Sequence, residues 1–127
     1  MGIALLAGYL LSTIFFKEII ARERPFNTEG ALLNVDDLLI GVPSGYFSFP
    51  SGHSLSSFSA AYVLLYYHRK NGIAALVIAA FIAFSRLYLY VHFPTDVIGG
   101  AVIAIGFAAL AIFLTNKIWE NRRENSY

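Results

Sequence analysis

Four apolar runs, separated by polar stretches of very unequal length, organise the chain. They are IALLAGYLLSTIFF at 3–16, SLSSFSAAYVLLYY at 54–67, IAALVIAAFIAFSRLYLYV at 73–91 and DVIGGAVIAIGFAALAIFLTN at 96–116. At about 1.5 Å of rise per residue the last two reach the roughly 30 Å thickness of the hydrocarbon layer, and the first two do so with part of their flanks. The first run also has the position of a signal peptide. No basic segment precedes it and no clean small-residue cleavage site follows, so it reads as a spanning helix. The pattern predicts an all-α integral membrane bundle with four transmembrane helices, in a single membrane-embedded domain over 1–127.

The stretches between runs set how the helices follow one another. YYHRKNGI at 66–73 reads as a short polar turn with a helix-ending glycine, making the second and third runs a hairpin. VHFPTDV at 91–97 is tighter still, and Pro94 suits the first turn of the following helix, where its missing amide proton does little harm. Residues 25–50 form the only long connection, and its VDDLLIGV piece reads either as an interfacial helical turn or as plain surface loop. If the spans alternate in direction, Lys17, Arg22, Arg24 and Arg86 share one side, and Arg69, Lys70, Lys117, Arg122 and Arg123 the other. The second set lies in ordinary flanks that fit the positive-inside tendency, which puts the first set on the non-cytoplasmic side.

Composition agrees with the pattern and removes several classes of function. Only 13% of residues are charged and 57% are hydrophobic, against about a quarter charged in soluble domains. Nine basic and eight acidic residues give a net charge of +1, which leaves no field for holding nucleic acid, and there is no zinc finger or Gly-rich nucleotide loop. The absence of cysteine excludes thiolate catalysis, disulfides and Cys-ligated metals.

Three polar islands remain, and alternation of the spans brings all three to one side. In KEIIARERP (17–25), Lys17 and Arg24 are seven residues apart, so a helix continued from the first run would carry both on nearly one face. Taken alone they also read as a snorkelling basic flank. In FPSGHSLSS (49–57), Ser51 can cap the next helix, Gly52 offers no side chain to obstruct a ligand, and the free amides of that first turn point toward an anion, with His53 beside them. In SRLYLYVHFPTD (85–96), Asp96 follows His92 by four residues and can accept a proton from one ring nitrogen, or act simply as a helix-start residue. Arg86 interrupts an apolar run, where a cation is costly unless it meets a partner. Arg86 and His92 are six apart, about 120° on an ideal helix, so both reach one anion only if the arginine swings round or the helix relaxes before Pro94.

This inventory suits a phosphoryl group. Lys17, Arg24 and Arg86 can surround its oxygens while amides near Ser51 and Gly52 complete the cradle. Binding alone does not require the histidines. An imidazole held by Asp96 is a nucleophile toward phosphorus, and the second imidazole can protonate the leaving oxygen and then activate water. His92 takes the first role because it has the carboxylate partner, and His53 the second. A metal held by His53, His92 and Asp96 is the chemical rival, opposed by three nearby cations.

These islands resemble the tripartite signature of the type 2 phosphatidic acid phosphatases, a membrane superfamily that also includes isoprenyl diphosphate phosphatases and is related to vanadium haloperoxidases and glucose-6-phosphatase. Lys17, Arg24 and Pro25 stand at the first motif's positions, PSGH at 50–53 is the second, and Ser85, Arg86, His92 and Asp96 carry the third. The resemblance implies His92 as nucleophile, Asp96 as its orienting partner, His53 as general acid and base, phosphoryl binding by Lys17, Arg24, Ser51, Gly52 and Arg86, and no metal or other cofactor. It also implies six spans in membrane members with the first motif after the third span, so four spans correspond either to the C-terminal part of such a core or to a minimal member.

A site emerging near the bilayer surface suits a lipid phosphate: phosphatidic acid, phosphatidylglycerol phosphate, diacylglycerol pyrophosphate or a polyprenyl diphosphate. Tyr88, Tyr90 and Phe93 read either as a tail entrance or as an interfacial aromatic belt. The competing readings are a non-catalytic scaffold or transport subunit, which leaves Arg86 unexplained, and a vanadate-dependent haloperoxidase-like site, which a membrane-embedded chain disfavours.

Overall fold

The computed structural model describes residues 10, 13–41, 43 and 45–125. Most of the first apolar run lies outside them, and with it the expectation that this run crosses a bilayer. Residues 13–20 form a helical stretch, α1. Three further helices follow: α2 over Gly52–Tyr67, α3 over Arg69–Tyr88 and α4 over Pro94–Glu124. The architecture is an all-α bundle of four helices, of which α3 and α4, at 20 and 31 residues, are long and apolar enough to cross a membrane. The 16 residues of α2 extend about 24 Å at the usual rise. Helix α4 continues past its apolar run to Glu124 because Lys117, Glu120, Arg122 and Arg123 are good helix formers with solvated heads.

Packing is inverted relative to a water-soluble core. Helix α2 packs against both α3 and α4, which scarcely meet each other. The residues α4 buries include Gly100, Ala104, Ala108 and Ala111, a single stripe of small side chains at helical spacing. Its large residues, such as Ile98, Val102 and Phe113, point outward, as do Ile78, Phe81 and Phe84 of α3. Small residues inside allow close backbone approach, and large ones outside suit a lipid solvent. At Gly100 a β-carbon would come within 2.8 Å of the Ser51 carbonyl oxygen, so the glycine is what lets the starts of α2 and α4 touch.

Two expectations about the connections are corrected. The stretch 66–73 is not a polar turn: His68 alone separates α2 from α3, and Arg69 through Gly72 already belong to α3. Gly72 does not end a helix. A β-carbon there would fall 2.1 Å from the Leu65 α-carbon, so its role is close packing across the hairpin. Nor does a helix run from Lys17 to Arg24. Helix α1 stops at residue 20, Ala21 has φ +44°, and Arg24 is extended with ψ 154°, because the residue before a proline is excluded from helical geometry. In the long connection, VDDLLIGV forms only a single 3-10 turn at Val35–Asp37, closed at its start by Asn34.

Candidate active site

The start of α2 is buried and polar. Ser51 is its N-cap, its hydroxyl accepting from the Ser54 amide at 3.5 Å. Its own amide donates to the Asp96 carbonyl oxygen at 3.0 Å, tying the first turns of α2 and α4 together. Ser48, Ser51 and Ser54 are fully buried. Ser51 therefore lies behind the cavity wall, while Gly52 and His53 in the first turn of α2 line the cavity.

The exit of α3 explains how Arg86 and His92 reach one space. Arg86 lies in the last turn of α3, and the helix ends two residues later at Tyr88. The amides of Leu89, Tyr90 and Val91 then donate to the carbonyls of Ser85, Leu87 and Arg86, with Tyr90 in the left-handed region at φ +57°. This is the closure that helices use when they stop against a residue of positive φ, a position glycine usually holds. The helix has thus relaxed before Pro94, and the 120° separation expected on a continuous helix does not arise. The Tyr90 hydroxyl accepts from the Leu32 amide at 3.2 Å, pinning the long connection to this turn.

Lys17, Arg24, Gly52, His53, Arg86 and His92 line a single cavity of about 350 Å³, with Ile40 and Pro43 contributing an apolar wall from the long connection. Arg24 is almost completely buried. Its Nε donates to the Gly45 carbonyl at 3.1 Å and its Nη1 to the Val91 carbonyl at 3.0 Å, so the guanidinium is fixed from both sides. Burial lowers its pKa from the ordinary value and the nearby Asp96 carboxylate opposes that effect; a guanidinium remains charged at neutral pH. Arg86 Nε donates to the Ser85 hydroxyl at 3.2 Å. Of the three aromatic residues near the site, Tyr88 points outward, Tyr90 holds Leu32 and Phe93 stacks under Arg22. Among the described residues no group of three or more His, Cys, Asp or Glu side chains is placed to hold a metal ion.

Asp96 is fully buried behind His92. Its Oδ2 accepts from the Phe93 amide at 2.8 Å, and the His92 Nδ1 faces that same oxygen at 3.7 Å, close enough for attraction but longer than a hydrogen bond. His92 Nδ1 has no other partner. Sequence reasoning missed the residue on the opposite side of the carboxylate. Arg22 Nη1 donates to Asp96 Oδ1 at 3.0 Å and also to the Thr95 hydroxyl, and its Cζ lies 4.2 Å from the centre of the Phe93 ring. The residues around Arg22 carry no signal of this partner, since Pro25 restricts only Arg24 directly before it.

Comparison with known proteins agrees with the motif reading. Residues 1–120 match the model of the PAP2 superfamily. The chain is 34% identical over 107 residues to a lipid A 4'-phosphatase of Bacteroides thetaiotaomicron, covering 82% of this chain and 47% of that protein. It is 33% identical over 124 residues to an undecaprenyl-diphosphatase of Sulfolobus acidocaldarius, covering 93% and 58%. The crystal structure of a transmembrane PAP2-type phosphatidylglycerolphosphate phosphatase from Bacillus subtilis superposes with a TM-score of 0.67 at 35% identity, over 91% of this chain and 57% of that one. The chain thus spans about half the length of the relatives it matches. With two helices long enough to span a bilayer and this similarity over nearly its whole length, the chain is an integral membrane member of the PAP2 superfamily, the type 2 phosphatidic acid phosphatases.

Proposed function

We propose that the chain hydrolyses a phosphate monoester or diphosphate on a membrane lipid through a phosphohistidine intermediate. The observation that carries this reading is the meeting of two imidazoles and three cations at one cavity, with a buried carboxylate behind one of the imidazoles. Cations and amides at the start of α2 bind the non-bridging oxygens, and they stabilise the charge that develops as phosphorus changes partners. His92 attacks phosphorus through Nε2, and the bond from phosphorus to the leaving oxygen, the lipid's own in a monoester or the bridging oxygen in a diphosphate, breaks as His53 donates a proton to that oxygen. Water, deprotonated by His53, then attacks the phosphohistidine, the phosphorus–nitrogen bond breaks, and phosphate leaves with both histidines restored. The Asp96 carboxylate, facing His92 Nδ1 at 3.7 Å, attracts a proton to that nitrogen and so favours the tautomer whose Nε2 lone pair is free. Three cations, Lys17, Arg24 and Arg86, supply the electrostatic work that a metal ion would otherwise do.

Four spans and a site on the non-cytoplasmic side complete the reading. Its support is the outward display of large apolar side chains and the flanking arginines and lysines at the far ends of the helices. Relatives named for lipid A, undecaprenyl diphosphate and phosphatidylglycerolphosphate have in common a phosphate held at the membrane surface by a lipid tail, and that is the substrate class proposed.

The test is phosphate release in detergent with a chelator present, across phosphatidylglycerol phosphate, phosphatidic acid, diacylglycerol pyrophosphate and undecaprenyl diphosphate. At least one lipid is turned over, and His92→Ala lowers its kcat by about a thousandfold or more. Full turnover by the His92 variant removes that residue as nucleophile, and no release from any lipid rejects the reaction class.

A further inference from the structure

We infer that Arg22 is a positioning residue, holding the Asp96 carboxylate in the plane and charge state that let it orient His92. The inference rests on the reaction proposed at His92, and what points to it is how completely one guanidinium embraces the start of α4. Arg22 donates to Asp96 Oδ1 at 3.0 Å and to the Thr95 hydroxyl, and lies 4.2 Å over the Phe93 ring. Its own backbone is fixed as well, its carbonyl accepting from the Ser48 amide at 2.8 Å.

The two oxygens of Asp96 therefore have different duties. Oδ1 belongs to Arg22, and Oδ2 is left to the Phe93 amide and to the His92 Nδ1 edge. A fully buried carboxylate that loses its hydrogen-bonded cation, with only the through-space charge of Arg24 left nearby, is driven toward taking up a proton or turning to another donor. Either change removes the acceptor that keeps the proton on His92 Nδ1. Arg22 does not line the cavity, so it acts on the reaction through Asp96 and not by touching the phosphate. Its reach across the fold is long, 74 residues in sequence, which ties the segment after α1 to the chemistry at the start of α4.

The test uses the full chain in detergent, labelled with 15N-histidine, as wild type, Arg22→Gln and Arg22→Lys. At a pH where the imidazoles are neutral, His92 carries its proton on Nδ1 in wild type and in the lysine variant, and loses that preference in the glutamine variant. Phosphate release by Arg22→Gln shows kcat lowered about 10- to 100-fold, the scale on which outer partners of a functional histidine act, with KM within about twofold, and Arg22→Lys recovers part of the loss. An unchanged His92 tautomer together with unchanged kcat in Arg22→Gln overturns the inference, as does a loss confined to KM. Should Arg22→Gln fail to fold, the charge-neutral pair Arg22→Gln/Asp96→Asn, compared with Asp96→Asn alone, decides the matter: equal kcat supports positioning through Asp96, and a further loss refutes it. A wild-type chain that releases no phosphate sinks the proposed reaction, while the tautomer still decides what Arg22 does.

Discussion

Helix α2 has two ends of opposite character. At its start, Ser48, Ser51 and Ser54 are fully buried, and the Ser48 and Ser51 amides bond to the distant carbonyls of Arg22 and Asp96. At its finish, His68, Arg69 and Lys70 are exposed, and a single residue carries the chain into α3. Both ends use a glycine to bring backbones together, yet only the start gathers charge away from solvent. A helix end becomes a candidate catalytic site when its polar groups are desolvated and fixed by partners remote in sequence, because electrostatic stabilisation is strong only where donors are preorganised and water is excluded. The other end also has a remote partner, the Tyr66 hydroxyl accepting from the Asn116 side-chain amide at 3.0 Å, but that bond is exposed to solvent.

Substitutions can break this contrast or sharpen it. Removing a cation from the buried end has the largest expected effect: Arg86→Ala loses one donor to the phosphoryl group and lowers kcat/KM by about two orders of magnitude, roughly 3 kcal/mol. If Arg86→Ala, Lys17→Ala and Arg24→Ala all keep the kcat/KM of the wild type in a phosphate-release assay, the buried end is no more catalytic than the exposed one. A matched pair of glycine substitutions comes next. Gly100→Ala and Gly72→Ala both press a β-carbon on backbone, and each costs about 1–3 kcal/mol of stability. Only Gly100→Ala also lowers kcat per folded molecule, since it parts the starts of α2 and α4. Thermal denaturation paired with turnover reads the two apart, and a kcat loss from Gly72→Ala contradicts the division. Arg69→Ala and Lys70→Ala have the smallest expected effect, within about 0.5 kcal/mol in stability as for other exposed sites and with no change in kcat. A marked loss of turnover in either variant extends the functional surface to the far end.

Sequence reasoning reached the features written in local chemistry and stopped where partners are distant. The Ser51 cap and the entry of Pro94 into α4 were legible because capping and proline geometry act within a few residues. Lys17, Arg24, Gly52, His53, Arg86 and His92 line one cavity, the gathering that alternating spans would produce. Gly72 was misread because a glycine near a helix end and a glycine at a backbone crossing look alike in sequence. Only the approach of Leu65 separates them. The bond between Arg22 and Asp96 is invisible for a related reason: the sequence places Arg22 on the same side as Lys17, Arg24 and Arg86 but gives it no role there, and nothing nearby in the chain indicates a partner 74 residues away. The helix expected from Lys17 to Arg24 ends at residue 20, where Ala21 turns to φ +44°, and Pro25 separately holds Arg24 out of helical geometry.

The bond from the Ser51 amide to the Asp96 carbonyl joins two helix starts main chain to main chain. It couples the backbone that carries His53 to the backbone that carries the carboxylate behind His92. The spacing of the two imidazoles then depends on that one main-chain hydrogen bond as well as on the segments that carry them.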